Sequence, residues 1–367
     1  MSKNLEDRTK KDSRQRQASA ETLKVGGNVE GKGILSVGID LGTSRSAISA
    51  SNGNRKWVES YVGWPKDFIA RKVMEKPVMF GAEALENRLM LNICRPLEHG
   101  VIKDGSTRSV DAVKELLRHL IRLVQTRDGE QRIRAVVGVP AESFKADKAA
   151  IRDAIGDFVD SLMVVSEPFS VAYGINALNN AMVIDIGAGT VDFCIMHGTV
   201  PSDDDQRTLL TAGDYIDLQL QNLLHENYPE ADFTLNMVRR FKERHGFVGE
   251  SGEAVKVEIP VSGKPTMHDI TAEMRCACES ILPGMVETTL SLIADFDPEY
   301  QKTVRNNVIL AGGGSQIKGL CEYFEGVLQD YGPCHLRCIS DPLFAGADGA
   351  LALATDMPEE YWEDLRG

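Results

Sequence analysis

With 367 residues the chain is long enough for two or more domains, and for a core burying about three quarters of the unfolded surface. Its 43% hydrophobic and 26% charged residues give an ordinary globular balance; the formal net charge of -13 argues against a general binder of nucleic acid or anionic membranes, which needs a basic surface. Seven cysteines, an odd number without framework spacing, read as free thiols of a reducing cytoplasm. Cys276-Ala277-Cys278 and Cys334-His335-x-x-Cys338 lack the second ligand pair that a zinc site needs.

Residues 1–32 are polar and mixed in charge and read as a disordered tail, with neither the apolar core of a secretion signal nor the apolar face of an amphipathic anchor. No later run is long enough to span a bilayer, so a cytoplasmic protein without direct membrane insertion is expected. The first motif follows. In Val37–Ser49 (VGIDLGTSRSAIS) an apolar run ends in Asp40, a turn at Gly42-Thr43-Ser44 follows, and a second strand begins. Lys56–Val62 reads as a further strand. Residues 63–96, with turn signals at Trp64-Pro65 and Lys76-Pro77, read as a small subdomain. Asp111–Thr126 is an amphipathic helix whose stripe is Val113, Leu116, Leu117, Leu120, Ile121 and Val124. Ile133–Val139 is a central strand and Lys145–Ser161 a helix. Met163–Pro168 then runs from a strand into a helix start, with Ser166 as N-cap and Pro168 in the first turn. Glu167 there is either an acid favoured by the helix N-terminus or a catalytic acid at a strand end.

Asn180–Met196 (NAMVIDIGAGTVDFCIM) repeats the first motif: an apolar run, Asp185, the turn Gly187-Ala188-Gly189-Thr190, and a strand alternating Val191, Phe193 and Ile195 with polar residues. The order is strand, glycine turn, strand, so neither of the common loops that run strand, glycine loop, helix is present. An almost side-chain-free turn lets backbone N–H groups close on an anion, and Thr190 adds a hydroxyl. Asp185 repels phosphate but can hold a divalent cation or orient a water; the plain alternative is a buried hairpin. The spacing between the copies far exceeds the roughly 20–50 residues of a solenoid repeat and indicates two related halves facing one ligand.

Beyond it, Leu209–Tyr215 leads into a helix carrying Asp217, and Phe233–His245 is a helix whose charged run Arg239-Arg240-Phe241-Lys242-Glu243-Arg244 reads as a solvated face. Val255–Val261 is a strand, and Thr271–Ala294 is helical with a break at Pro283-Gly284. Asn307–Leu320 places Gly312, Gly313 and Gly314 between strand and helix, where a flat group can lie against bare backbone. Asp341–Ala354 closes with a small-residue helix.

IDLGT, IDIGAGT, LAGGG and the closing DP-x-x-x-x-A-x-G, in this order after residue 33, resemble the actin, sugar kinase and heat-shock ATPase superfamily. The size and short insertions resemble the bacterial actins. VGWPKD, RPLEHGVI, VVSEPFSVAYG, GFVGESGEA and PEEYW resemble the actin-like filament proteins of magnetosomes.

That resemblance implies an α/β actin-like ATPase fold: two RNase-H-like domains, each with a small subdomain, around a nucleotide cleft. It divides the chain into large subdomains at 33–62 with 97–180 and at 181–236 with 280–354, small ones at 63–96 and 237–279, and a C-terminal tail at 355–367. It implies ATP or GTP with Mg2+. Asp40 and Asp185 match the carboxylates around the nucleotide-bound metal. Gly42, Thr43, Ser44, Gly187, Ala188, Gly189 and Thr190 match the phosphate hairpins, and Glu167 matches the residue that positions the attacking water. Lys242 and Glu243 resemble the pair at ribose and base; Gly312, Gly313, Gly314 and Ser315 resemble the adenosine-side loop. Ala47 stands where actin has a lysine, which leaves more charge neutralisation to magnesium and backbone. The implied partners are further copies of the chain in a filament and magnetosome-associated adaptor proteins, with no nucleic acid. A small-molecule kinase of this fold would need its own acidic base and larger insertions; a scaffold without turnover would not need Asp40, Glu167 and Asp185 intact.

Overall fold

The computed structural model describes residues 33–103, 106–126, 132–141, 144–250 and 252–365; the tail expected over 1–32 lies outside them. The first half opens with β1 (Ile34–Leu41), β2 (Arg45–Ala50) and β3 (Arg55–Glu59), paired antiparallel in succession. A small sheet of β4 (Val62–Pro65), β5 (Met79–Phe80) and β6 (Leu91–Cys94) follows, then a short ribbon of β7 (Leu97–Glu98) and β8 (Val101–Ile102). The chain then returns to lay β9 (Arg132–Val139) parallel to β1, and β10 (Ser161–Ser166) parallel to β9.

The second half traces the same path. Strands β11 (Asn179–Ile186), β12 (Val191–His197) and β13 (Gln206–Leu209) run antiparallel, and β14 (Lys256–Val261) and β15 (Lys264–Asp269) form a ribbon. Then β16 (Val308–Ala311) lies parallel to β11, and β17 (Leu336–Cys338) parallel to β16. The orders β3-β2-β1-β9-β10 and β13-β12-β11-β16-β17 are the same meander plus parallel extension. The two sequence motifs therefore occupy equivalent hairpins, β1–β2 and β11–β12.

Helix Thr107–Val124 starts earlier than its apolar pattern because Ser106 caps it, accepting from the Ser109 amide at 3.3 Å. All six residues of its expected stripe are buried, each such side chain contributing about 1.5–3 kcal/mol. Two helices, Glu167–Gly174 and Ala345–Asp356, join a core shared by both sheets, with Val136 and Val165 from the first, Val183, Cys194 and Ile309 from the second, and Ala350 and Leu353. They touch backbone to backbone: a Cβ on Gly349 would overlap the carbonyl oxygen of Ser170.

Four local expectations change. The helix expected over Lys145–Ser161 runs Phe144–Ile155, and Ser161 opens β10. The strand expected over Lys56–Val62 is two strands in different sheets, parted at Ser60, whose amide donates to the Ser44 carbonyl at 2.9 Å and whose hydroxyl donates to Gly42 at 2.6 Å. The break expected at Pro283-Gly284 falls earlier, between helices Thr271–Glu279 and Leu282–Asp295. Pro283 opens the second helix, where its missing N–H costs nothing. Within 355–367, read as a tail, β18 (Glu363–Asp364) pairs with β10, Arg134 holds Glu359 through two bonds of 2.9 and 2.8 Å, and the same guanidinium lies over Trp362.

Candidate functional site

The two glycine turns face each other. A Cβ on Gly189 would come within 2.5 Å of the Thr43 hydroxyl, so only glycine permits this approach. Each turn is tied down from outside. The Gly42 carbonyl accepts from Ser60, itself 2.8 Å from Ser46. Gly187 and Ala188 accept from the amides of Gly213 and Asp214 at 3.1 and 2.7 Å, which open helix Gly213–Asn227. Gly100 donates its amide to Thr43 at 3.2 Å, and the His99 ring lies 3.4 Å from the Gly189 carbonyl.

Behind the turns stand Asp40 and Asp185, one at each strand end. Burial raises the Asp40 carboxyl to about 6, and pushes Asp185 well above the carboxylate range, reinforced by the charges of Asp40 and Asp192. Two crowded oxygen donors short of positive charge form a set suited to a hard cation. The approach to them is bare backbone: a Cβ on Gly346 would lie 2.6 Å from Asp40, and one on Gly312 would overlap Asp185. Among the described residues no three His, Cys, Asp or Glu side chains gather into a metal cluster. Glu167 is the first residue of its helix and packs beside Gly138, the β9 residue paired with Asp40. Ser166 stands at the N-cap, as read, but without a side-chain capping bond.

Gly312 adopts φ +70, and Ser315 donates to its carbonyl at 2.8 Å. Gly314 packs on Ile186, while a Cβ on Gly313 would meet nothing within 4 Å. Lys242 and Glu243 both have protein partners. Lys242 reaches Asp217 at 2.7 Å and the Gly213 carbonyl at 2.6 Å; Glu243 meets Arg45 of the first hairpin at 3.0 Å.

The charged run on helix Leu235–His245 is thus not uniformly solvated. Arg239 is only 12% exposed and binds Asp217 at 3.1 Å, Asp214 at 3.2 Å and the Tyr61 hydroxyl at 2.6 Å. Asp217, 1% exposed, is the shared counter-charge of Arg239 and Lys242. We expect Asp217→Ala to cost about 3 kcal/mol in urea denaturation, because it leaves the largely buried Lys242 without a carboxylate and Arg239 with Asp214 alone; a loss under about 1 kcal/mol would show that water replaces it.

Sequence reasoning passed over Asp192 as the polar side of a strand. It is 1% exposed and accepts from Thr208 at 2.6 Å and from the Ala141 amide at 3.0 Å, linking the second hairpin to the end of β9. The available signal was its neighbours on that face, Cys194 and Met196, which are apolar and fully buried, so both faces of β12 are covered.

The sequence matches the MreB/Mbl protein family over residues 35–360. The chain belongs to that family. The resemblance to actin-like proteins read from the motifs is borne out. Actin-like protein MamK of Magnetospirillum gryphiswaldense is 41% identical over 339 residues, covering 92% of this chain and 94% of that protein. MamK of Paramagnetospirillum magneticum is also 41% identical, covering 92% and 97%. Among solved structures, the MamK double helical filament superposes with a TM-score of 0.86 at 41% identity, covering 89% of this chain and all 100% of the other. A non-polymerising MamK mutant bound to AMPPNP gives 0.68 at 40% identity, covering 88% and 99%. Membership of the family with this superposition establishes the actin-like fold.

Proposed function

We propose that this member of the MreB/Mbl family binds ATP or GTP with Mg2+ between its two hairpins, hydrolyses it, and polymerises into cytoskeletal filaments whose turnover follows hydrolysis. The observation that carries the reading is the apposition of Gly189 and Thr43 with Asp40 and Asp185 behind them. The two glycine turns approach each other where a phosphate chain would lie, and the paired acids would leave it a cation to share.

Asp40 and Asp185 would hold magnesium, through water, and its charge would offset that of the phosphates. Held through water, the two carboxylates would stay outside the metal's own shell, which water and phosphate would fill. The amides of Gly42–Ser44 and Ala188–Thr190 would bind the phosphate oxygens, that of Gly187 being spent on the Thr190 carbonyl at 2.9 Å, and the hydroxyls of Thr43 and Thr190 would add donors. Gly313, open above the site, offers the adenosine a flat backbone, alongside Gly312, Gly314 and Ser315; Lys242 and Glu243 border the ribose and base. Glu167 orients the attacking water and takes its proton, with Asp185 fixing the line of attack.

Assembly into filaments is supported by the MamK relatives and by the closer superposition on the filament than on the non-polymerising form at nearly equal identity. On the same reading hydrolysis accelerates on assembly, and the filament lies in the cytoplasm along magnetosomes, held by adaptor proteins. No described helix is long and apolar enough to cross a membrane. Sedimentation with magnesium and ATP, read alongside phosphate release, tests this. Wild type should pellet and turn over, faster above its assembly threshold; Glu167→Ala should pellet yet release phosphate about a hundredfold more slowly. Absence of any pellet, or a variant at the wild-type rate, would overturn the filament reading or the role of Glu167 respectively.

A further inference from the structure

Arg95 lies between β6 and β7, its backbone restricted to extended conformations by Pro96. Its guanidinium is spent on the first turn and on the helix start that supports the second. Nε donates to the Thr43 carbonyl at 2.9 Å, in the first turn. The two terminal nitrogens grip Asp214 as a fork, NH1 to Oδ2 at 2.7 Å and NH2 to Oδ1 at 3.1 Å. Asp214 in turn donates its own amide to Ala188 in the second turn at 2.7 Å. A continuous chain therefore runs from one turn through Arg95 and Asp214 to the other. Arg239 braces it from the far side, bonding Asp214 and, across the cleft, Tyr61. Arg95 and Asp214 are 22% and 24% exposed, so water screens the pair only partly.

We propose that Arg95 is a positioning residue for hydrolysis, a strut that sets the separation of the two phosphate hairpins. The inference rests on the reading of the site as a nucleotide hydrolase. The strut requires a guanidinium, because three donors in one plane serve two acceptors that belong to opposite halves. A lysine ammonium in the same place keeps the charge but cannot span both. Loss of the strut leaves every hairpin amide present, so ground-state binding survives, while alignment for in-line attack does not.

The test uses the full chain, with Arg95→Lys, Asp214→Asn and the double variant. Three quantities are measured: ATP affinity with magnesium, single-turnover phosphate release, and amide hydrogen exchange without nucleotide. Each single variant should slow release about tenfold or more with affinity within about threefold, and the double variant should be no slower than the worse single one. Exchange at 42–44 and 187–190 should accelerate in all three, while helix Thr107–Val124 keeps its wild-type rate. Release by Arg95→Lys at the wild-type rate, effects that multiply in the double variant, or exchange that accelerates throughout the chain would overturn the strut. Should wild type itself fail to bind ATP, the hydrolase reading falls, and hairpin exchange alone decides whether the strut exists.

Discussion

Asp185→Asn is expected to abolish phosphate release while raising the melting temperature of the nucleotide-free protein. Both effects come from one buried charge. The folded state raises the Asp185 carboxyl by burial and by the neighbouring Asp40 and Asp192, and raises Asp40 by burial to about 6 from 3.8. A raised acid binds its proton more tightly folded than unfolded, so its stabilising contribution is present at low pH and lost as pH rises through the folded value. Without nucleotide, stability should therefore fall between about pH 4 and pH 6, Asp40 alone accounting for about 3 kcal/mol, and further at higher pH from Asp185. Asparagine at 185 cannot ionise, which removes its share of that loss. On the proposed roles the same change removes a cation-holding oxygen and the group fixing the line of attack, so release should fall about a thousandfold, or ~4 kcal/mol of transition-state stabilisation. Thermal melts from pH 4 to pH 8 and single-turnover assays check both halves. A variant less stable than wild type at pH 8, or within tenfold of its rate, would refute the assignment. Loading wild type with magnesium and nucleotide should reverse the pH slope and release protons near pH 6.

The second large effect lies away from the chemistry. Gly349→Ala is expected to destabilise the protein by about 3 kcal/mol or more. The new methyl would overlap the carbonyl oxygen of Ser170 and crowd its carbon, both backbone, so no side chain can swing away. Helices Glu167–Gly174 and Ala345–Asp356 would have to separate, and they sit in the core common to both sheets. Gly326→Ala is the matched control: it lies inside helix Leu320–Gln329, where an added Cβ meets nothing within 4 Å. That change should be neutral or stabilising by up to about 1 kcal/mol. Urea unfolding of the two variants decides it; equal midpoints would mean that the crossing tolerates more room than its geometry allows.

The hairpins, both carboxylates and the helix of Thr107–Val124 were legible because their signals are local: an apolar run, an acid, a glycine turn, a spacing of three and four. What stayed hidden depends on partners far along the chain. Nothing near Arg95 announces Thr43 and Asp214, and nothing in the run around Arg239 separates the residues that turn inward to Asp217 from those that face water. Asp192 was hidden by its own alternation, since a strand covered on both faces looks half-exposed when its buried polar residue happens to fall in phase. Strand β18 is two residues long and owes its pairing to the edge of β10, which its own residues do not predict.

The doubled meander also has a thermodynamic corollary. Each half owns one turn and one acid, so on the proposed reading neither is a binding site alone, and affinity is a property of the separation between them. Anything that favours one separation is then an effector for whatever binds there, whether it is a neighbouring molecule or a substitution at the helix crossing. Reciprocity makes the exchange symmetric: the factor by which a neighbour tightens the ligand is the factor by which the ligand tightens the neighbour. A site split across two like halves would thereby make occupancy something the outside of the molecule can read.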